Sequence, residues 1–274
     1  MKPTYTCFYL SLIGLGSTTT TALSQTVPAD FFGPNYLVST DATGLIALNT
    51  DTVPGNATNN SSTVDWVHGV SGATGIDLSV TIVDVARVEY TSYIQTTGSE
   101  LIFGRGQEVS ILNTELLGNL LTGVTGLSIL STWESVATLD MPMTAGQEYT
   151  LTFTTTPGAS VLGINNLLGL SNVEIGNTSV GTFETIDLLS LVDIDLLAST
   201  HQISIPFTPT SDVESVDITF SAETLADVQL LNDNSGDQDI LSFSSMEITP
   251  IPEPSAAALF GLGALCTLRR TRKA

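Results

Sequence analysis

Between residues 25 and 250 the sequence has no cysteine, no lysine and only two arginines, Arg87 and Arg105. Without cysteine, this stretch can hold neither a disulfide nor a thiol nucleophile; Cys7 and Cys266 both lie outside it. The 27 acids from Asp30 to Glu247 leave the same stretch at a net charge of about −25. A field of that sign repels nucleic acid and anionic lipid, so nucleic-acid binding is excluded as a function. Histidine is equally scarce. His68 and His201 stand far apart, with no His-x-x-x-His pair to seat zinc on a helix. No G-x-S-x-G elbow occurs either, which removes the usual setting of a nucleophilic serine.

What the stretch does contain is threonine, serine, asparagine and β-branched apolar residues in alternation. In "EYTLTFTTTP" Tyr149, Leu151 and Phe153 fall on one side and threonines on the other. "VESVDITFSA" repeats the pattern with Val216, Ile218 and Phe220, and residues 76–94 are rich in strand-forming types. Further strands are expected at Val64–His68, Ser128–Leu139, Ile203–Phe207, Val228–Leu231 and Ile240–Ile248. Turn-rich intervals lie at 54–62, 144–147, 157–160 and 232–239, and "GRG" at 104–106 also reads as a turn. Many short strands between turns predict a mainly β protein, an antiparallel two-sheet sandwich of jelly-roll-like type. The Leu-rich stretches 114–130, 161–170 and 185–199 read as one or two short helices capping it. Their Leu-Leu pairs follow no fixed period, which argues against a solenoid.

Chemistry has few footholds. In "NDNSGDQD" the carboxylates of Asp233, Asp237 and Asp239 offer hard oxygen ligands for Ca²⁺, although the spacing departs from an EF-hand. The other reading is a solvated turn. Trp66 and Trp133 are candidate platforms for stacking on a sugar ring; the competing reading makes them core residues. Any two of 27 acids form a nominal carboxylate pair, so glycoside hydrolysis is not singled out, and no catalytic residue is assigned. The expectation is a protein that is not an enzyme.

The two ends differ from the body. Residues 1–24 carry Lys2, a short apolar run from Phe8 to Leu15, and small residues at Ala22 and Ser24, the layout of a signal peptide for the Sec export machinery. Residues 251–274 begin with Pro252-Glu253-Pro254, continue through thirteen residues that are apolar except for Thr267, and end on Arg269, Arg270, Arg272 and Lys273. Proline favours an extended neck before that run. Thirteen residues are short for a membrane helix, which needs about 20, but basic side chains that snorkel lengthen the span. The basic cluster would stay cytoplasmic and leave residues 25–250 outside.

A proline-glutamate-proline neck, a short Gly/Ala/Leu helix and a basic end together resemble the PEP-CTERM sorting signal of exported Gram-negative proteins. The resemblance covers only the tail. It implies handling by an exosortase-type membrane peptidase that acts at Pro252-Glu253-Pro254, transient tethering to the inner membrane, and delivery to the cell surface or extracellular matrix. A structural or adhesive role in biofilm, in contact with extracellular polysaccharide, is the expected function. A carbohydrate-binding module with a Ca²⁺ site is the alternative, and a glycan-processing enzyme the third reading.

Overall fold

The alternation that marks the sequence becomes a two-sheet architecture in the computed structural model, which describes residues 27–40, 46–49, 53–60, 63–80, 83–111, 128–158, 171–188, 200–227 and 236–251. The chain enters through four strands, β1 (Tyr36–Ser39), β2 (Ile46–Asn49), β3 (Val53–Asn60) and β4 (Val64–Ser71). A meander of β5 (Ala73–Val80), β6 (Val83–Thr96) and β7 (Glu100–Ile111) follows. Then come β8 (Ser128–Leu139), β9 (Tyr149–Pro157), β10 (Ser171–Asn177) and β11 (Gly181–Asp187). The last three are β12 (His201–Phe207), β13 (Val216–Asp227) and β14 (Gly236–Pro250).

One sheet has eight strands in the order β12-β9-β14-β7-β6-β5-β2, with β1 also paired to β6. The other has six, in the order β11-β10-β13-β8-β4-β3. Every pairing is antiparallel. The inward residues of both sheets share one apolar core. Rings interlock across it: Phe220 of β13 meets Phe243 of β14 at 4.7 Å and Phe153 of β9 at 6.2 Å, and Phe103 of β7 stacks on Trp133 of β8 at 6.3 Å. Each such aromatic pair adds roughly 1 kcal/mol beyond its buried area.

Three local expectations, all of turns, are corrected. Among the described residues every regular element is a strand. In the Leu-rich stretches, residues 128–130 and 185–187 lie in β8 and β11, Leu188 is helical, and the remainder, where the short helices are expected, lies outside the described residues. The strand expected at Val228–Leu231 also lies outside them. Residues 54–60, expected as a turn, form most of β3, an edge strand where Pro54 is tolerated because one side needs no ladder partner.

Gly104-Arg105-Gly106 is not a turn but the middle of β7. A Cβ on Gly104 would sit 2.1 Å from the ring of Tyr93, so glycine here lets that ring lie flat across the neighbouring strand. Residues 236–239, expected as turn, open β14.

β14 shows how side-chain parity shapes the backbone. Leu241 and Phe243 are buried, and so is Ile248, an even-numbered position after two odd ones. An unbroken strand would turn Ile248 to solvent. A register shift between Ser244 and Glu247, with Ser245 at φ 56°, absorbs the change as a bulge. A serine in this left-handed region costs about 1 kcal/mol, which burial of Ile248 offsets.

Candidate functional site

The sorting tail begins where the fold stops. Pro250, the last residue of β14, pairs with Tyr149 of β9. Ile251 is then gripped from the turn before β9: its N–H donates to the Glu148 carbonyl at 2.8 Å, and Gln147 Nε2 donates to the Ile251 carbonyl at 2.7 Å. Gly146 makes this turn possible with φ 77°, and its N–H is anchored on the Pro209 carbonyl at 3.0 Å. Asp212 fastens the same turn by accepting from the Ala145 N–H at 2.8 Å. Pro252, Glu253, Pro254 and the basic residues Arg269, Arg270, Arg272 and Lys273 lie outside the described residues. The motif therefore follows directly on a residue held by two hydrogen bonds.

The tryptophans are a correction. Trp66 is 0% and Trp133 1% exposed, so neither ring presents a face to a sugar. Trp66 donates from Nε1 to the Phe31 carbonyl at 2.7 Å, and Trp133 from Nε1 to the Gly104 carbonyl at 3.2 Å, the way buried indoles satisfy their one donor. Sequence showed both the stacking and the core reading; only packing chose between them.

Of the three candidate calcium ligands, Asp233 lies outside the described residues, and Asp237 and Asp239 are exposed on β14. Asp239 Oδ1 accepts from the Tyr93 hydroxyl at 2.9 Å. Burial first, then this bond and the charges of Asp239 and Asp237, push the Tyr93 phenol above its ordinary value. Among the described residues no group of three His, Cys, Asp or Glu is placed to hold a metal ion.

Two basic side chains, one fully and one partly buried, lie against the core aromatics. His68, fully buried, stacks between Tyr36 and Trp66 at 5.5 Å each, and its Nδ1 is 2.9 Å from Ser135 Oγ. Its Nε2 has no hydrogen-bond partner among the described residues, and burial pulls its pKa down to about 4, so the ring is neutral at pH 7. This is the structural histidine that its place on an alternating strand suggests. Arg105 lies over the Trp133 ring at 5.6 Å, with its pKa lowered to about 10 by burial. It remains charged at neutral pH, although its Nε and Nη2 have no hydrogen-bond partner among the described residues.

A polar depression of about 270 Å³ opens on the outer face of the six-stranded sheet, lined chiefly by Glu174, Thr178, Thr182, Asp217 and Thr219. The β10–β11 hairpin shapes it through a register shift at Ile175/Gly176; a Cβ on Gly176 would press on the Gly181 carbonyl at 2.9 Å. Both carboxylates are engaged. Asp217 Oδ1 accepts from the Thr138 hydroxyl at 2.7 Å, and its Oδ2 accepts from the N–H and hydroxyl of Thr178, each at 2.7 Å. Glu174 accepts from the Thr182 hydroxyl. This arrangement fastens a turn with charge-assisted bonds. Sequence could not select these two acids among 27, because their pairing comes from strands 43 residues apart.

Comparison with known proteins adds the following. Residues 250–273 match the PEP-CTERM protein-sorting motif. No curated protein matches the chain. The adhesin domain of Epf from Streptococcus pyogenes is similar over 81% of this chain, at 11% identity and a TM-score of 0.34, and the chain spans 60% of its length. A family 11 carbohydrate-binding module of the cellulosomal cellulase Lic26A-Cel5E of Clostridium thermocellum is similar over 75% of this chain and 96% of its own, at 13% identity and a TM-score of 0.28. The CBM22-1–GH10 modules of a Clostridium thermocellum xylanase are similar over 46% of this chain and 22% of theirs, at 10% identity and a TM-score of 0.25. Likenesses at these scores carry no functional weight.

Proposed function

We propose, from the PEP-CTERM protein-sorting motif at residues 250–273, that this chain is a non-enzymatic structural or adhesive protein of the cell surface or extracellular matrix. The motif implies export, C-terminal membrane anchoring and exosortase-mediated processing. The body it delivers is a jelly-roll-like sandwich whose polar surface is hydroxyl-rich and acidic. Its thiol-free composition suits an extracellular setting without depending on disulfide formation. A non-enzymatic role is supported by the state of Glu174 and Asp217, which share a depression yet already hold threonine hydroxyls and a backbone N–H. A glycan-binding site built on tryptophan stacking is not proposed, since both rings are buried.

The carrying observation is the motif beginning where β14 ends. Replacing Pro252-Glu253-Pro254 by three alanines in an exosortase-bearing host should yield a longer product retained in the membrane fraction. Mass spectrometry of the product and fractionation of the cells read this out. A variant with the mass and location of the unaltered protein would overturn the sorting reading.

A further inference from the structure

β9 carries Thr150, Thr152, Thr154 and Thr156 on its outer face while Leu151 and Phe153 are fully buried beneath. The neighbouring strands continue this surface in register. On one side Ser204 of β12 stands opposite Thr152 and Gln202 opposite Thr154. On the other, β14 sets Ser242 opposite Thr156, Ser244 opposite Thr154 and Thr249 opposite Thr150. Adjacent strands lie about 4.8 Å apart, and alternate residues along one strand about 7 Å, so the hydroxyls form rows at regular spacing that the bulge between Ser244 and Glu247 interrupts on β14. Two pairs bond across strands, Thr152 with Ser204 and Thr156 with Thr200, each at 3.1 Å. The Thr150 and Thr154 hydroxyls have no partner among the described residues.

The charge of this face sets it apart. In a body with a net charge of about −25, the outward positions of β12 and β14 that pair with Thr150–Thr156 carry one charge, Glu247 opposite Thr152, while Asp237 and Asp239 stand exposed on β14 beyond the end of β9. Each threonine presents a methyl and a hydroxyl together, so the lattice meets both the C–H faces and the hydroxyl edges of a sugar. An anionic polymer would be repelled by the surrounding field, and a cationic one would be drawn to the acids of the opposite face. A neutral polyhydroxylated chain faces neither bias. With no aromatic platform exposed here, each contact is weak, and retention must come from many sites along an extended polymer.

We infer that the Thr/Ser face of β12, β9 and β14 binds neutral polysaccharide in extended form. This rests on the adhesive reading and gives it a surface and a ligand class. The strand β14 that borders the face also leads into the sorting tail, so face and tail are fixed to one element.

The test is adsorption of the purified full chain, solubilised in mild detergent, to microcrystalline cellulose, chitin and an insoluble β-1,3-glucan, with calcium alginate beads as the anionic comparison. Retention on at least one neutral matrix is expected. The double variant Thr152→Val/Thr154→Val keeps the β-branched shape, and Thr152→Glu/Thr154→Glu adds charge; retention should fall about ten-fold or more in both, with unchanged thermal melting of the valine variant certifying the fold. Thr219→Val, on the other sheet, should retain as the unaltered chain does. Retention that ignores both double variants would overturn the assignment of this face while leaving the adhesive reading intact. Retention on alginate alone would overturn the neutral-ligand assignment, and no retention on any matrix would overturn the inference together with the adhesive reading.

Discussion

The two outer faces of this sandwich rest on one core but are built for different ends. On the eight-stranded sheet, threonines and serines of β12, β9 and β14 form a nearly uncharged lattice. On the six-stranded sheet, Asp65, Glu134, Glu174, Asp217 and Glu223 stand among Thr and Val, with no cation beside them in the register of β4, β8, β13 and β10. Hydroxyls on the first face bond to each other or have no partner among the described residues, whereas on the second Thr138, Thr178 and Thr182 are tied to carboxylates. The difference shows that polar surface of similar composition is structural where it closes a hydrogen-bond network and available for a ligand where it does not.

The largest expected effect concerns a condition that would blur this comparison. Lowering pH protonates the acidic face, but it also titrates His68. The folded pKa of His68 is about 4, against 6.5 in the unfolded chain, so between these values the unfolded state binds more protons. Stability is therefore full above pH 6.5 and falls as pH drops toward 4, by about 3 kcal/mol from this group alone. Urea unfolding of the unaltered chain and of His68→Phe at a series of pH values separates the contributions. The variant should lose most of the slope between these pKa values, and equal slopes would refute the assignment.

Next in size is the acid that fastens the six-stranded face. Asp217→Ala strips two hydroxyls and the Thr178 N–H of their acceptor and should cost about 2 kcal/mol in chemical unfolding. A loss near zero would mean that this face is as free of structural duty as the other.

The smallest effect is expected on the lattice. Thr154→Val, at a hydroxyl without a partner among the described residues, should change stability by less than about 0.5 kcal/mol. If it proved as costly as Asp217→Ala, the contrast between the faces would fail. The ranking by stability is thus the inverse of the ranking expected for glycan retention.

Much of this contrast was legible before the fold. "EYTLTFTTTP" shows by its own alternation that threonines face one way along β9, and "VESVDITFSA" does the same for β13. What could not be read is which strand lies beside which. β9 sits between β12 and β14, so its threonines acquire uncharged neighbours apart from Glu247; β13 sits between β10 and β8, so Asp217 finds Thr138. Local signals misled where partners decide the outcome. The polar residues 54–60 look like turn but become an edge strand because β4 supplies their ladder. Gly104 and Gly106 look like a turn but serve close approach by Tyr93 and Thr91.

By itself the sequence determined the side-chain parity of the strands, the thiol-free and strongly acidic composition of the body, and the tail that matches a sorting motif. These are properties of neighbouring residues or of counts, and they need no knowledge of the third dimension. The tertiary structure alone decided that Trp66 and Trp133 are buried, that Ile251 is clamped by Gln147 and Glu148, and that the surface around β9 is poor in charge while the other sheet carries paired acids. Burial and charge environment belong to the strands that pack together, and pairing across tens of residues is set by how the whole core closes rather than by any local pattern.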